Sequence, residues 1–463
     1  MRGAVRLLGL VPILIAVREP TRADELERYA RAEMELNQIP GLAVAILERD
    51  RVLLRAWGVR DLLTGEPMTV DTPVELASVS KPLTAAAVAR LIRAGRLDGD
   101  RPASEWLAEL RGSRLERVTV RSLLRQRSGL RRRHDRTIPC CGRPGDRDLS
   151  LAAGRLARAR PAGGASPPFA YANSNYVLLA ALVERASGMR FQRFMEQEIF
   201  LPLGMSRTTA DPAQARRWSL AGAHERSWGR VRARAAPEAG WLGASLVKST
   251  ARDMALFLEA ALAGRVVGIE RPETLVPPYD AGWFVRRQGN LLVLEHSGDT
   301  WGANAALLLA PERHLGVAVL VNAGVQRALE IARAIAAWRL GGRLPPPRRP
   351  AWYLVADNWA MLFGALSLAT LAGLVTFWLR THAQFRRGVR VWLLPHGVWE
   401  RGRLLLLGAM TAYLLALAAR GLMAGASSSP SSLRLCLAGL AVAAAAGLGT
   451  AAALGATARK SQN

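Results

Sequence analysis

Lysine is nearly absent from this chain of 463 residues. It occurs only at Lys81, Lys248 and Lys460, and arginine supplies the remainder of the 63 basic side chains. Arginine does not release its proton near neutral pH, whereas a lysine removed from water can do so. Each retained lysine is therefore a candidate for a position where a basic side chain must give up a proton.

Cysteine is also scarce, with Cys140 and Cys141 adjacent and Cys436 in an apolar run. No spacing is typical of a zinc site or of a thioredoxin-like redox pair. The adjacent pair fits either two ordinary loop thiols or a strained vicinal disulfide. Cysteine usage therefore leaves the redox compartment open.

Acidic residues are too few to neutralise the basic ones, and aromatic residues are also scarce. The formal net charge is +26, and aromatic residues make up only 6% of the chain. The arginines are scattered, and no basic cluster alternates with aromatic side chains as a nucleic-acid stacking surface requires. This pattern argues against nucleic-acid binding and favours attraction to an anionic membrane surface.

The N-terminus has the composition of a secretory signal peptide, predicted over residues 1–23. Two arginines precede an apolar stretch at 7–17, and small residues stand at Thr21 and Ala23, the −3 and −1 positions of a cleavage site. The alternatives are an uncleaved anchor and a buried helix. Export of the following domain is the expectation.

The last quarter of the chain is the most apolar. A Pro-rich linker at 345–350 precedes a predicted membrane domain, 351–463, whose three apolar stretches each approach the ~20 residues that cross a bilayer. These predicted transmembrane helices are 359–379, 404–423 and 435–456. Arginines crowd the loop between the first two, so the positive-inside rule places that loop and the C-terminus in the cytoplasm. We therefore expect a multi-pass protein of a bacterial cell membrane with its N-terminal domain periplasmic or extracellular.

The exported part, residues 24–344, alternates predicted helices and short strands. Strands are expected at 42–47, 52–59, 291–295, 303–309 and 315–321. Helices are expected from 24 to 37, from 82 to 94 and from about 328 to 340. Strands at both ends of the segment indicate one sheet whose first and last parts are distant in sequence.

The first motif that carries chemistry is Ser-x-x-Lys at Ser78 and Lys81, directly before a predicted helix. Residues i and i+3 lie on one face of a helix, so both side chains are expected in the same cleft. A serine hydroxyl becomes nucleophilic when a neighbour accepts its proton, which a desolvated lysine can do. The same spacing recurs at Ser245 and Lys248, but these precede a helix that 249–250 is expected to cap.

Two further motifs follow, Tyr-x-Asn at Tyr171 and Asn173 and His-Ser-Gly from His296 to Gly298. A tyrosine beside a lysine can ionise more readily, and an asparagine can orient both the lysine and a substrate amide. A His-Ser-Gly segment at a strand edge can offer backbone N–H groups to an oxyanion. The structural alternatives are Asn173 as a helix N-cap and His296 as a buried histidine.

Together the three motifs resemble, in order and approximate spacing, the penicillin-recognising serine enzymes, and most of all their class C β-lactamase, D-Ala-D-Ala carboxypeptidase and esterase branch. Further stretches that resemble this family lie at 38–45, 118–124, 128–130, 200–205 and 249–254. The resemblance covers about residues 25–340. It implies an α+β fold, a β-lactamase/transpeptidase-like antiparallel sheet flanked by helices with an inserted helical subdomain, followed here by the three-helix transmembrane region.

The resemblance also implies a serine hydrolase mechanism with an acyl-enzyme on Ser78. Lys81, assisted by Tyr171, would activate the nucleophile, and the backbone N–H groups of Ser78 and Asp299 would hold the oxyanion. The residues implied to bind substrate are Asn173, His296, Ser297, Gly298 and Asp299. The mechanism calls for no metal and no organic cofactor.

The expected substrate is an amide or ester, such as a D-amino-acid peptide of the cell envelope, and the sequence leaves the oligomeric state open. The alternative is a catalytically silent relative that binds envelope ligands or signals. Two departures from the family keep that alternative open: Arg125–Arg127 replaces Thr-His-Thr, and a basic run, Arg131–Arg133, follows. Asp299, where a glycine is usual, predicts unfavourable contact with an anionic substrate.

Overall fold

The structure, a computed structural model, describes residues 22–49, 51–138, 148–163, 167–227, 230–234, 240–266 and 274–350, with isolated positions between 351 and 459. The predicted signal peptide lies outside these residues except for its last two, which begin the first helix. The three cysteines and the predicted spans 404–423 and 435–456 also lie outside, and span 359–379 is described only at isolated positions. Within the described part of the chain, no helix combines the length and the apolar character that crossing a membrane requires.

Helices and strands alternate along the described residues. The helices are α1 (Arg22–Asn37), α2 (Ser80–Arg93), α3 (Val120–Leu124), α4 (Arg132–Asp135), α5 (Leu149–Ala157), α6 (Asn173–Ser187), α7 (Phe191–Phe194), α8 (Pro212–Arg216), α9 (Ala251–Leu262) and α10 (Ala328–Arg339). The strands are β1 (Gly41–Glu48), β2 (Arg51–Gly58), β3 (Val74–Glu75), β4 (Ala223–Ser227), β5 (Arg230–Arg234), β6 (Lys248–Ser249), β7 (Tyr279–Asp280), β8 (Trp283–Gln288), β9 (Leu291–Asp299), β10 (Asn304–Ala310), β11 (Leu315–Val321), β12 (Arg390–Trp392) and β13 (Thr457–Arg459).

Seven strands form one sheet in the order β2-β1-β11-β10-β9-β8-β7. Every neighbouring pair is antiparallel. The first strand pairs with the last one of the domain, with Val44 opposite Val319. The prediction of one sheet whose parts are distant in sequence is therefore confirmed.

The central strands are buried on both faces, and their side chains alternate between two apolar clusters. In β1, Ala43 and Ala45 face the cluster that contains α2, α6 and α9, whereas Leu42 and Val44 face the cluster that contains α1 and α10. This period of two follows from strand geometry, in which successive side chains point to opposite faces. The sheet is thus the middle layer between two sets of helices, and the larger cluster lies on the side that carries the motifs.

Helix α2 is buried in the larger cluster along most of its length. Residues from Ser80 to Val88 are all buried, in agreement with a composition dominated by alanine and leucine. A helix that is apolar on every side is favoured only where it is surrounded by other elements. The helix packs against α6, so its N-terminal turn and the N-terminus of α6 meet at one place.

Candidate active site

Ser78 lies in the short turn Ala77–Val79 that leads into α2. Ala77 has a φ of 48°, in the left-handed region that costs a residue with a Cβ about 1–2 kcal/mol. Two backbone hydrogen bonds hold the turn: Leu76 N–H donates to Val247 O at 2.9 Å, and Val79 N–H donates to Leu76 O at 3.1 Å. Surrounding packing therefore fixes the serine in one position at the start of the helix.

Lys81 is fully buried and its Nζ lies among three oxygen atoms. The distances are 2.9 Å to Ser78 Oγ, 2.8 Å to Asn173 Oδ1 and 2.9 Å to Ala244 O. None of these partners is a carboxylate, so no ion pair compensates the loss of water around the ammonium. Burial therefore lowers the pKa of Lys81 well below its usual range, and the nearby Arg132 charge adds to this, whereas Asp135 opposes it.

Tyr171 completes the contacts of the nucleophile, because its hydroxyl donates to Ser78 Oγ at 2.9 Å. A tyrosine beside a lysine is expected to ionise readily, and here the structure differs. The residue keeps some exposure, but its surroundings are largely apolar and burial raises the pKa of Tyr171. Lys81, not Tyr171, is consequently the group that is unprotonated most easily.

Asn173 is the first residue of α6, and its side chain turns towards Lys81 rather than back to its own helix. The N-cap position belongs to Ala172, which has no capping side chain. The interpretation of Asn173 as an N-cap is therefore wrong. Asp135 from α4 supplies the missing cap, since its carboxylate accepts from the N–H groups of Asn173 at 3.1 Å and Ser174 at 2.9 Å.

The segment around residues 125–135, whose sequence differs from that of the family, holds the second motif in place. Gln126, fully buried with a φ of 57°, accepts through Oε1 from Ala172 N–H at 3.0 Å, and its carbonyl accepts from Ala170 N–H at 3.0 Å. Ser128 is hydrogen-bonded to Asn175 of α6. The altered sequence of this loop therefore fixes the backbone on both sides of Tyr171 and the first turn of α6.

His296 lies on β9 with 1% exposure, behind Tyr171. Its Nδ1 is 2.7 Å from Ser297 O, which can only accept, so Nδ1 carries the proton and Nε2 accepts from the Tyr279 hydroxyl at 3.1 Å. Burial, with a contribution from Lys81, lowers the pKa of His296 to about 3. The neutral ring belongs to an aromatic wall with Tyr171, Tyr279 and Phe284, and both of its nitrogens have protein partners.

Gly298 is where β9 touches the nucleophile's turn. A Cβ on Gly298 would lie 2.0 Å from Leu76 O and 2.9 Å from Ser78 N. Only glycine allows this approach, which brings the backbone after Gly298 beside the backbone nitrogen of Ser78.

Asp299 and Ser297 lie on the opposite face of β9 from His296 and Gly298. Asp299 stands directly across from Asn304, whose Nδ2 donates to its Oδ1 at 2.6 Å. Desolvation of the carboxyl group raises the pKa of Asp299 to about 6. Two features oppose that rise: the residue as a whole is exposed, and the Asn304 amide favours the charged form of the carboxyl group. Strand alternation places the Asp299 side chain on the other face of β9 from His296, yet its charge still acts on Tyr171, in the direction that raises the pKa of that hydroxyl. The expectation that Asp299 contacts the substrate stays a prediction.

The second Ser-x-x-Lys pair is not part of this cluster. Ser245 Oγ accepts from Trp241 N–H at 3.0 Å, and Lys248 lies on β6, paired with β3. Thr250 caps α9 by accepting from Asp253 N–H at 3.0 Å, as the predicted cap requires. In the described part of the chain, no group of three His, Cys, Asp or Glu side chains converges as metal ligands do.

Three contributors to the site escape sequence reasoning: the Ala244 carbonyl, Gln126 and Asp135. A backbone carbonyl carries no residue signal. Asp135 lies in a charged run that is typical of a solvated loop, and only its 6% exposure identifies it as a buried cap.

A family model described as Beta-lactamase matches residues 26–339. The chain is 32% identical to a D-aminopeptidase of Brucella anthropi over 195 residues, which cover 41% of this chain and 36% of that protein. It is 27% identical to a beta-lactamase of Escherichia coli K12 over 244 residues, which cover 52% of this chain and 61% of that protein. The chain thus spans less than two thirds of either relative.

The fold is similar to that of a beta-lactamase/D-alanine carboxypeptidase from Pseudomonas syringae. The TM-score is 0.59 at 22% sequence identity, and the similarity covers 70% of this chain and 99% of that one. At this identity the likeness concerns the fold, and it confirms the predicted β-lactamase/transpeptidase-like arrangement of an antiparallel sheet with flanking helices.

Proposed function

Because this chain belongs to the beta-lactamase family, we propose that it is a serine hydrolase which cleaves an amide or ester through an acyl-enzyme on Ser78. The proposed substrate is a peptide with D-amino acids, or another amide or ester of the cell envelope. The names of a relative, a D-aminopeptidase, and of a structural neighbour, a beta-lactamase/D-alanine carboxypeptidase, support this class.

The arrangement around Lys81 is the observation that carries the proposal. A neutral amine has two N–H donors and one lone pair. Asn173 Oδ1 and Ala244 O can only accept, so they take both N–H groups of the neutral lysine. The lone pair is then directed to the remaining neighbour, Ser78 Oγ, at 2.9 Å. Neutral Lys81 is thus poised to accept the serine proton, and its lowered pKa makes that form accessible.

The proposed reaction uses these contacts in sequence. Lys81 accepts the hydroxyl proton while Ser78 Oγ forms a bond to the substrate carbonyl carbon. The tetrahedral intermediate collapses by breaking the bond to the leaving nitrogen or oxygen, to which the Tyr171 hydroxyl donates a proton. Acylation thus leaves Lys81 protonated and Tyr171 ionised. A water molecule then attacks the acyl carbon while the Tyr171 oxygen accepts its proton, and the second tetrahedral intermediate collapses as Lys81 returns its proton to Ser78 Oγ.

Negative charge on the carbonyl oxygen requires donors that are fixed in advance. We propose the backbone N–H groups of Ser78 and Asp299 for this purpose. Their support is the close approach of Gly298 to Ser78 N, which leaves no room for a side chain between the two backbones. Asn173 would contact the substrate amide, and His296 would act as a positioning residue behind Tyr171.

We also propose that the hydrolase domain is held at the outer face of a cell membrane. The support is the sequence pattern alone: the signal-like segment 1–23, the three apolar stretches after residue 351 and the arginine-rich loop between the first two. Alkaline phosphatase fused after residue 344 should be active in a bacterial host, and a fusion within 380–403 inactive. The opposite pattern would reverse the topology, and two inactive fusions would place the domain in the cytoplasm.

The direct test is mass spectrometry of the detergent-solubilised full chain after exposure to a fluorophosphonate probe or to a penicillin. The probe should add to Ser78, and Ser78→Ala should remain unmodified. A persistent penicilloyl adduct would indicate a peptidase-like enzyme, and hydrolysed penicillin would indicate a β-lactamase. If neither reagent modifies Ser78, the hydrolase proposal fails, and a catalytically silent relative becomes the better interpretation.

A further inference from the structure

Two neighbouring leucines are exposed on the loop at 59–67 that follows β2. Leu62 is 46% exposed and Leu63 is 83% exposed, and among the described residues no other two large apolar side chains adjacent in sequence are both exposed. The loop is held in shape by its own polar contacts: Leu63 N–H donates to Asp61 Oδ1 at 2.7 Å, and Glu66 forms an ion pair with Arg60. Packing inside the domain therefore does not account for this pair of leucines.

The loop lies against β4, one strand of the small sheet that β4 and β5 form. Leu62 N–H donates to His224 Nε2 at 3.1 Å, and Gly222 N–H donates to Arg60 O at 2.8 Å. His224 Nδ1 is 2.7 Å from Asn322 O, which can only accept, so Nδ1 carries the proton and Nε2 is the acceptor. These contacts fix the exposed leucines beside the sheet of β4 and β5.

The outer face of β5 is basic. Arg230 and Arg232 are exposed, whereas Val231 between them is half-buried and packs against the smaller apolar cluster. Successive side chains of a strand point to opposite faces, so both guanidinium groups point away from the domain. Glu225 lies opposite Arg232 but forms its ion pair with Arg234. In the part of the chain that the structure describes, neither Arg230 nor Arg232 has an ion-pair partner.

The Pro-rich segment at 345–350 packs onto the domain at the end of α1. Arg349 Nη2 donates to Leu36 O at 3.2 Å, and Arg348 O accepts from Asn37 Nδ2 at 3.4 Å. The segment is therefore attached to the surface of the domain and does not extend away from it as a free tether.

Tyr353 continues this packing to β4. Its side chain is fully buried, its hydroxyl donates to Val325 O, and its ring centre lies 4.3 Å from Arg226 Cζ of β4. The first predicted membrane span begins at 359, and the six residues that follow Tyr353 reach at most about 20 Å. The chain therefore leaves the domain at the small sheet that carries the arginines and contacts the leucine loop.

From this placement we infer that Leu62, Leu63, Arg230 and Arg232 form a docking surface for a lipid bilayer with anionic headgroups. The inference rests on the proposed attachment of the domain to a membrane. The leucines would enter the boundary between headgroups and acyl chains, and the guanidinium groups would bind phosphate oxygens. Exposed apolar side chains beside uncompensated cations are the composition that binds an interface whose polar layer is negatively charged.

The attachment of the chain strengthens this contact. Exit of the chain at Tyr353 makes docking an intramolecular event, which a small surface can sustain. The acids nearest the leucines oppose docking only weakly, because Glu66 is paired with Arg60 and the half-buried Asp61 accepts from Leu63 N–H. Two basic side chains near an anionic surface should together favour the docked state by about 30-fold.

The test is hydrogen–deuterium exchange of the full chain in lipid nanodiscs. One set of discs contains phosphatidylcholine alone, and the other contains equal parts of phosphatidylcholine and phosphatidylglycerol. Amides of the loop at 59–67 and of β5 should exchange about 10- to 30-fold more slowly in the anionic discs, whereas amides of α5 should exchange equally in both. Sodium chloride at about 1 M should remove the difference, because the Debye length falls to about 3 Å.

Substitution of both outer arginines tests the electrostatic part of the surface. Arg230→Gln combined with Arg232→Gln should abolish the slowing of exchange by anionic lipid. The matched control is Arg114→Gln combined with Arg117→Gln, which removes an equal charge from two arginines that are also exposed, in the loop before α3. The control should keep the slowing.

Substitution of a leucine tests the apolar part. Leu63→Gln should lower the protection of the loop in the anionic discs, and Leu151→Gln, at a position 45% exposed on α5, should not. These variants alter exposed side chains, so their unfolding midpoints should match that of the unmodified protein.

The outcomes separate the inference from the proposed function. A full chain that leaves the discs when detergent is removed would contradict membrane attachment and the docking surface together, while fluorophosphonate labelling of Ser78 still decides on the hydrolase. A chain that stays in the discs but exchanges equally in both lipids would overturn the docking surface alone. Protection that grows with chain concentration and not with anionic lipid would overturn it too and assign the surface to a second copy of the chain.

Discussion

The Asp135 carboxylate spans the N-terminus of α6, with one oxygen accepting from Asn173 N–H at 3.1 Å and the other from Ser174 N–H at 2.9 Å. It therefore fixes the residue whose side chain holds Lys81. Asp135 also lies close enough for its charge to act on the lysine, in the direction that raises the pKa of Lys81. In the proposed mechanism, Asp135 is a positioning residue.

Asp135→Asn should slow fluorophosphonate labelling of Ser78 and move the acid limb of the pH–rate profile to lower pH. The shift follows because the lost negative charge no longer favours the protonated lysine. Asp148→Asn is the matched control, since Asp148 caps α5 through Ser150 and Leu151 in the same way but touches no site residue. The control should lose little stability, because asparagine caps a helix about as well as aspartate does, and only Asp135→Asn should change the pH profile. An unmoved profile would reduce Asp135 to a structural cap.

Lys81→Met should reduce the rate of labelling by about 10²- to 10⁴-fold, the range expected for loss of a general base. The variant should also lose a pH dependence of stability. Because the pKa of Lys81 is lowered in the folded protein, the unfolded chain binds more protons between that pKa and 10.5. Unfolding free energy should therefore rise with pH in this window for the unmodified protein more than for the variant. Parallel curves from chemical denaturation would show that the lysine is protonated in the fold.

His296 gives a second prediction for the pH dependence of stability, in the acidic range. Its folded pKa is lowered to about 3 from 6.5, so the unfolded chain binds more protons between these values and stability falls as pH drops from 6.5 towards 3. His296→Gln should lose less stability over this interval than the unmodified protein. A ring signal of His296 that titrates near pH 6 in NMR spectra would contradict the prediction.

Gly298→Ala should suppress labelling of Ser78 because the added methyl would meet Leu76 O and Ser78 N, which are backbone atoms of the nucleophile's turn. The control is Gly154→Ala in α5, where nothing lies within 4 Å of the added Cβ. The control should be neutral or stabilised by about 0.5–1 kcal/mol, as expected for glycine to alanine inside a helix. Full activity of the Gly298 variant would mean that β9 can withdraw from the turn.

The smaller apolar cluster contains a buried ion pair that joins α1 to the segment before α10. Arg327 Nη2 donates to Glu33 Oε1 at 2.7 Å, and the two side chains are 10% and 1% exposed. Glu33→Gln should destabilise the protein by about 3–5 kcal/mol, because it leaves the guanidinium buried and uncompensated. Asp71→Asn, at the exposed pair with Arg252, should cost at most about 1 kcal/mol in the same denaturation experiment.

Much of the fold could be predicted from local sequence patterns. The hairpin predicted at 42–47 and 52–59 is found at Gly41–Glu48 and Arg51–Gly58, and the strand predicted at 315–321 is found there. These segments are predictable because their period of two and their turn residues act over a few positions. The pairing of β1 with β11 followed from the distribution of strands along the chain, not from any single residue.

The residues of the candidate site could be predicted from the sequence only where the chemistry requires a particular residue type. The sequence alone singled out Ser78, Lys81, Tyr171 and Asn173, because the proposed nucleophile, base and their partners need these side chains at these intervals. Asp135 escaped because capping is decided by which loop folds back over α6.

The residue sequence thus sets the chemical inventory: a nearly lysine-free chain that keeps Lys81 three residues after a serine, and apolar patterns that produce the strands and helices. The pKa values of these side chains and the directions in which they point are decided by packing in the tertiary structure. Burial without a carboxylate partner lowers the pKa of Lys81, and burial raises the pKa of Tyr171. The fold also brings the charges of Arg132 and Asp299 near Tyr171, where the first lowers and the second raises the pKa of that hydroxyl. These outcomes depend on desolvation and on which face a side chain occupies, and both are set by contacts between segments more than 90 residues apart.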